Sequence, residues 1–293
     1  MKSLTVFTPT YDRAYCLHSL YESLCIQTSK DFLWLVIDDG STDNTKELVN
    51  GWREEHKIEI VYFCKQNGGM HTGHNAALKL ITTELNVCID SDDLMPHKAI
   101  EQILNCWRNN TDSSVAGLLG LDSYKNGQIV SSKKFPENVK SGKYSLLKKD
   151  YGISGDVKFV YKTEIIKKYP EYPVFPDEKF VPLGYKYRLI DQDYNMLFLN
   201  EVICVVEYMD DGSTKNMYRQ YYKNPKGFAY SRRITMKYSF PFKDKFVQAV
   251  HFVAESILGK TAMFKNNENK MLIVAAIPLG IILSAYILYI NKK

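Results

Sequence analysis

Two acidic clusters, each closing an apolar run, hold the residues best suited to chemistry. They are Leu33-Trp34-Leu35-Val36-Ile37-Asp38-Asp39-Gly40-Ser41-Thr42-Asp43 and Asn86-Val87-Cys88-Ile89-Asp90-Ser91-Asp92-Asp93. Carboxylates crowded at the ends of buried strands repel one another, and such crowding persists where a cationic or strongly polar ligand is held. A nucleotide and a divalent metal are the candidates. The Asp90-x-Asp92 spacing lets one carboxylate turn toward a ribose hydroxyl while the other reaches a hard cation carried by phosphate oxygens. Each cluster alone has a plainer reading: Asp38, Asp39 and Asp43 as turn and helix-cap residues, and Asp90, Asp92 and Asp93 as a solvated turn before Pro96. The pair together resists that reading. A calcium loop of EF-hand type opening at Asp90 fails, because its sixth position needs glycine and is Met95.

The elements that must position these residues alternate strand and helix. Leu4–Thr8 reads as a short strand broken by Pro9, and Ala14–Gln27 as a helix with Leu17, Leu20, Tyr21 and Leu24 at helical spacing. Phe32–Asp38 is apolar without alternation, as a strand covered on both faces should be. A helix from Asn44 to about Glu55, a strand Ile58–Phe63, a helix Asn75–Ile81, a strand Asn86–Asp90 and a helix Pro96–Arg108 follow. Such alternation predicts an α/β fold with a mainly parallel sheet and right-handed crossovers. Ligands of these sheets bind beyond the carboxyl ends of the strands, where both acidic clusters fall.

No Walker-type loop is present, and Gly68-Gly69 lacks the third glycine of a dinucleotide fingerprint, which argues against an ATPase or a dehydrogenase. The motifs Thr8-Pro9-Thr10-Tyr11-Asp12-Arg13, Ile37–Asp43, Gln66-Asn67-Gly68-Gly69 with Asn75, and Asp90-Ser91-Asp92-Asp93 resemble, in order and spacing, those of family 2 glycosyltransferases with the GT-A fold. The resemblance covers the chain to about residue 110. It implies a nucleotide-diphospho-sugar donor, usually a UDP-sugar, with Mn²⁺ or Mg²⁺, and inversion at the anomeric carbon. It further implies that Pro9, Thr10, Tyr11, Arg13, Asp38 and Asp39 belong to the nucleoside end. Asn67, Gly68, Gly69 and Asn75 would then border the donor, Asp90 with Ser91 the ribose, and Asp92 the metal. Two glycines in succession permit the close backbone approach a diphosphate needs. Two departures stand out: Asp12 replaces the usual Asn, and Met70 replaces a basic residue that many relatives carry near the phosphates.

Inverting transfer needs a carboxylate to deprotonate the acceptor hydroxyl. Relatives commonly place it after a Phe-Asp-Glu-like segment. Phe175-Pro176-Asp177-Glu178-Lys179-Phe180 is similar to that segment, yet the carboxylate position falls at Leu183-Gly184. Asp156, Glu178 and Asp191 (with Asp193 beside it) are the remaining candidates. Asp156 is preferred because it leads into the strand Val157–Tyr161, where a side chain is held rigidly. His71 and His74 flank the glycine pair and could serve the donor or simply sit satisfied in a loop.

The chain has 293 residues, 45% hydrophobic and 24% charged, enough for one large domain and an appendage. We divide it into a nucleotide-sugar half (1–110), an acceptor half (111–212), a basic and aromatic helical segment (213–265) and a membrane segment (271–290). Its six cysteines form no C-x-x-C pair and read as reduced, and the start is too short and polar for a secretory signal. From Lys215 to Lys245 nine basic residues, among them Arg219, Lys223, Arg232 and Arg233, face the single acid Asp244, with Tyr218, Tyr221, Tyr222, Phe228 and Phe240 interleaved. Single-stranded RNA would suit such a mixture, as would anionic lipid headgroups. Met271–Ile290 decides for lipid over nucleic acid. It is uncharged, and at ~1.5 Å per residue it covers about 30 Å as a helix. It reads as one transmembrane helix, or else a re-entrant hairpin bent at Pro278-Leu279-Gly280. The expected enzyme sits at the cytoplasmic face of the membrane and acts on a lipid-linked saccharide acceptor in surface-polysaccharide (capsule) assembly. Its partners are then the nucleotide sugar, membrane lipids, and a second copy or other assembly proteins. A non-catalytic nucleotide-sugar-binding subunit and a sugar-phosphate nucleotidyltransferase are the other classes; the latter lacks its Gly-rich basic loop between Thr8 and Leu17.

Overall fold

The computed structural model describes residues 2–207, 217–238, 241–265 and 267–292, so Lys215 and Phe240 of the basic-aromatic stretch lie outside the described residues. Two compact units are present: Met1–Asn67, Thr72–Glu171 and Arg188–Met209 form the first, and Gly68–His71, Tyr172–Tyr187 and Asp210–Lys293 the second.

The elements run β1 (Leu4–Thr10), α1 (Ala14–Cys25), β2 (Phe32–Asp38), α2 (Thr45–Glu54), β3 (Ile60–Cys64), α3 (Met70–Leu80), β4 (Leu85–Cys88), α4 (Ala99–Arg108), β5 (Val115–Ser123), β6 (Ser141–Gly142), α5 (Leu147–Tyr151), β7 (Val157–Lys162), α6 (Thr163–Ile166), α7 (Gly184–Asp193) and β8 (Asn195–Val205). The strands form one sheet in the order β3-β2-β1-β4-β7-β5-β8-β6. The first four are mutually parallel, β7 is inserted antiparallel to β4 and β5, and β5 pairs in parallel with β8. This is the GT-A arrangement of a mostly parallel sheet flanked by helices. Both faces of β1 and β2 are covered, which is why they show apolar runs without alternation: every residue of β1 is buried. Leu17, Leu20 and Leu24 of α1 and Ile100, Ile103 and Leu104 of α4 pack into the same core, as their spacing predicts.

Several element boundaries differ from the sequence expectation, β4 for one ending at Cys88 and not at Asp90, and two others bear on the site. Pro9 does not break β1, which runs on to Thr10. Phe7 O accepts from Ile89 N on the β4 side, so residue 9 faces that side too, where β4 has already ended; its missing N–H costs no ladder bond. Helix α3 starts at Met70, five residues before the expected Asn75, immediately after the glycine pair.

The second unit contains α8 (Met217–Lys223), α9 (Pro225–Thr235), α10 (Phe242–Leu258) and α11 (Lys270–Lys292). Ala229, Met236, Ala249, Phe252, Val253, Ile273 and Ala276 form its core. The apolar tail is one uninterrupted helix through Pro278, so the hairpin alternative is not realised. Within the bundle Glu255 is fully buried, 3.5 Å from Arg232 Nε and 3.8 Å from His251 Nδ1, and neither carboxylate oxygen has a hydrogen-bond partner. Burial, only partly offset by Arg232, pushes its carboxyl up to about 8, while burial and Arg232 push His251 down to about 4. A carboxyl raised in the folded state binds a proton the unfolded chain has released, so Glu255 costs stability progressively as pH rises from about 4.5 toward 8. Glu255→Gln is therefore expected to raise the unfolding temperature by ~5 °C at pH 9 and hardly at all at pH 5. Thermal melts of both proteins at the two pH values check this.

Candidate active site

The site is built on the carboxyl edge of β1, β2 and β4. Asp12, held at a positive φ of 49°, clasps the loop after β2. Its Oδ1 accepts from Thr42 N (2.6 Å) and Asp43 N (3.3 Å), and its own N–H donates to Ser41 Oγ (3.0 Å). Asp43 in turn accepts from Ala14 N at 3.0 Å. The two donor-side loops are thus tied into one rim. Asp38 is spent on that rim, accepting from Ser41 N (2.7 Å) and the Tyr62 hydroxyl. Buried Asp39 pairs with Lys65, which also reaches Gln66 O (2.7 Å) and Thr72 Oγ1 (2.8 Å). Turn-building and ligand-binding readings therefore divide the first cluster: Asp38 and Asp43 have their carboxylates engaged in turns. Pro9 and Thr10 end β1 at this edge, and Tyr11 stands exposed beyond them. Thr10 Oγ1 and Asn67 Oδ1 are buried there without a hydrogen-bond partner, a cost of ~1–3 kcal/mol each that a polar ligand would relieve.

The second cluster is divided in the same way. Asp93 is buried: its Oδ1 accepts from Glu207 N (3.2 Å), and its Oδ2 accepts from Cys204 (3.4 Å) and faces Lys158 Nζ at 3.4 Å. Burial raises its carboxyl to about 6, against the pull of Lys158. Asp122, 4.0 Å from the same ammonium, is raised by burial to about 7. This clasp pins the loop that carries Asp90, Ser91 and Asp92 to β7 and β8. Sequence reasoning missed Lys158 and Asp122; the only local signal was a charged residue within an apolar stretch of each strand. Arg13 Nη1 lies 3.3 Å from Asp92 Oδ2, which brings a cation to this edge.

No group of three or more His, Cys, Asp or Glu with metal-site geometry occurs among the described residues. The donor set nonetheless fits a hard divalent ion, which takes one or two carboxylates and completes its shell with substrate phosphates and water; Asp92, with Asp90 two residues away, offers such oxygens. Asn75 and Ser91 are buried, as are His71 and His74. His74 packs edge-on to Phe7 (5.0 Å between ring centres) with Nε2 3.6 Å from Cys88 Sγ, the surroundings of a core histidine.

The three carboxylates proposed as base have different surroundings. Glu178 accepts from Lys226 N (2.8 Å) and Gly227 N (2.7 Å) and so caps α9. Asp191 accepts from Tyr144 N (2.5 Å) and Ser145 N (3.1 Å), holding the short 3₁₀ turn Tyr144–Leu146. Asp156 is exposed at the start of β7. The preceding Gly155 has φ +98°, and a Cβ on it would stand 2.5 Å from Val130 O, so the approach to Asp156 is fixed.

The model of the family described as glycosyl transferase family 2 matches residues 5–169, more than half of the chain and all of the edge just described. The chain belongs to glycosyltransferase family 2. Poly(ribitol-phosphate) β-N-acetylglucosaminyltransferase TarP of Staphylococcus aureus is 29% identical over 124 residues, 42% of this chain and 38% of that one. An uncharacterized glycosyltransferase of Rickettsia felis is 33% identical over 143 residues, 48% of this chain and 22% of that one. The matched stretch is thus less than two fifths of either curated relative. Among solved structures, S. aureus TarS 1–349 in complex with UDP-GlcNAc superimposes with a TM-score of 0.58 at 18% identity, covering 97% of this chain and 82% of that one. The mannosyltransferase PcManGT of Pyrobaculum calidifontis, in complex with GDP-Man and Mn²⁺, gives 0.58 at 15% identity, covering 97% and 87%. These likenesses establish the GT-A fold.

As a family 2 glycosyltransferase the protein depends on backbone geometry at its glycine pair. Gly69 has φ +89°, and a Cβ on it would stand 1.8 Å from Lys179 O, closer than any real contact. Gly69→Ala is expected to cost ~3 kcal/mol or more, read as a large fall in unfolding temperature or loss of soluble protein. Gly184→Ala, whose Cβ would meet nothing within 4 Å, is the matched control and should change little.

Proposed function

We propose that this glycosyltransferase moves a sugar from a UDP-sugar, with inversion, to a lipid-linked saccharide acceptor at the cytoplasmic face of the membrane, in assembly of a surface polysaccharide. The observation that carries the donor half of this reading is the single edge that gathers Thr10, Asp39, Asn67, Asp90 and Asp92 and leaves two buried polar atoms unsatisfied. In this reading Pro9, Thr10, Tyr11 and Asp39 hold the base and ribose, and Asp38 shapes their loop. Asn67, Gly68, Gly69 and Asn75 border the donor, Asp90 and Ser91 meet the ribose side, and Asp92 holds Mn²⁺ or Mg²⁺. The bound cation supplies neutralisation of charge developing on the departing diphosphate. Arg13 adds a fixed positive charge beside Asp92. Asp156 takes the proton of the attacking hydroxyl, since Glu178 and Asp191 each hold two backbone N–H groups and would have to abandon a cap to serve as base.

TarP is named as acting on poly(ribitol-phosphate), and a relative from Bacillus spizizenii, 25% identical over 138 residues, is named a poly(ribitol-phosphate) β-glucosyltransferase. These names favour a second acceptor reading, a polyol-phosphate polymer in place of a neutral saccharide. The test is a screen of UDP- and GDP-sugars for Mn²⁺-dependent protection from thermal unfolding, followed by incubation of the protected donor with each acceptor class. A donor at ~100 times its dissociation constant should stabilise by about 2.7 kcal/mol. Protection by no nucleotide sugar at millimolar concentration would refute the donor assignment.

A further inference from the structure

The helical unit presents a face whose occupant can be named. Helix α11 carries no charge from Met271 to Ile290, but only 28% of its most apolar 18 residues are buried. Ile273, Ala276, Gly280, Ser284 and Ile287 form its one buried stripe. The small residues of that stripe bring it close to α10: a Cβ on Gly280 would stand 2.4 Å from Val253 Cγ1 and 3.1 Å from Val250 O. Its two ends are tied down as well. Asn269 Nδ2, just before the helix, donates to Met236 O at 3.5 Å, and Asn291 Nδ2 donates to Tyr218 O at 3.3 Å, with the Tyr218 and Tyr286 rings 5.7 Å apart. The opposite face exposes Met271, Val274, Leu279, Ile281, Ile282 and Tyr289, Met271 at 88%.

A helix held along its whole length cannot cross a bilayer alone. If α11 stood upright, α10 would go in beside it, carrying Lys243, Asp244, Lys245, His251 and Glu255, together with Arg232 of α9, which faces Glu255. A charge at the bilayer centre costs at least about 2.5–3.5 kcal/mol; burial holds Glu255 and His251 neutral, but Arg232, Lys243, Asp244 and Lys245 remain charged, and α10 is too short and polar to span. Laid flat, the same helix buries its open apolar face and keeps these groups in or above the headgroup layer, where long basic side chains extend toward phosphate. Charge agrees with this. Residues 217–292 contain twelve Lys and Arg against three Asp and Glu, a net of +9, whereas the remainder carries 26 against 30, a net of −4. The attraction to an anionic surface is confined to the part of the chain that bears the apolar face.

We propose that α11 lies along an anionic phospholipid surface rather than across it, with α8–α10 over the headgroups, so that the C-terminus stays on the same side of the membrane as the catalytic unit. This rests on the membrane attachment in the proposed function and specifies its geometry.

The test uses the full chain, because α11 supplies Ile273 and Ala276 to the bundle core and its removal would expose that core. Fused at the C-terminus and expressed in a bacterium, green fluorescent protein should fluoresce and alkaline phosphatase should be inactive. Active phosphatase would overturn the in-plane geometry while leaving membrane attachment standing. The purified protein should float with vesicles of phosphatidylglycerol and phosphatidylcholine, and at least tenfold less with phosphatidylcholine alone. Failure to float with either would refute the attachment itself. The double variant Ile281→Asp/Ile282→Asp, on the open face, should abolish flotation while leaving circular dichroism and the unfolding temperature unchanged. If this variant instead splits a dimer and flotation is absent in both proteins, a second copy covers the face and the proposal is wrong.

Discussion

Asp92→Asn is expected to lower sugar transfer by about three orders of magnitude, a loss of ~4 kcal/mol of transition-state stabilisation. Asn keeps the size of the side chain and an oxygen to accept from Arg13 Nη1, so the 3.3 Å contact and the local fold should survive. What it removes is the charge that a hard cation requires. The variant should therefore melt like the parent in the absence of ligand yet gain no Mn²⁺-dependent protection from UDP. Titration calorimetry of Mn²⁺ with UDP separates this outcome from simple misfolding. Wild-type turnover in the variant would show that Asp92 does not hold a metal.

Asp156→Asn carries the second large effect. Loss of a positioned general base costs typically 10²–10⁴ in rate, and the expected fall lies in kcat, with donor KM and unfolding temperature unchanged. The other two carboxylates give the contrast. Glu178→Gln and Asp191→Asn each weaken acceptance from two backbone N–H groups, so they should lower stability by ~1 kcal/mol and affect kcat only through it. If Glu178→Gln eliminated kcat at unchanged stability, the assignment of base would pass to that residue.

The features readable from sequence are those whose signal is contiguous. The β1 and β2 runs are apolar because both faces of each strand are covered, and the donor motifs are short because each occupies one loop at one strand end. Features made by pairing distant segments were not readable. Lys158, Asp93 and Asp122 come from β7, the loop after β4, and β5, and no local pattern announces that they meet. The continuation of β1 through Pro9 likewise depends on where β4 ends, 79 residues later. Composition identified the apolar tail, but the packing of its stripe Ile273-Ala276-Gly280-Ser284-Ile287 against α10 is again a pairing of distant segments that composition does not announce.

Strand β7 has a further bearing on how such an enzyme can change. Lys158, one residue into the strand, faces Asp93 of the loop that follows β4, and Asp156 lies just ahead of the strand. Inserting or deleting one residue between Lys158 and Val160 would turn Lys158 to the opposite face, away from Asp93. Surrounding loops can therefore change by substitution, but this strand cannot change in length, because its register and the place of the loop carrying Asp90, Ser91 and Asp92 are geared to each other like teeth on one shaft.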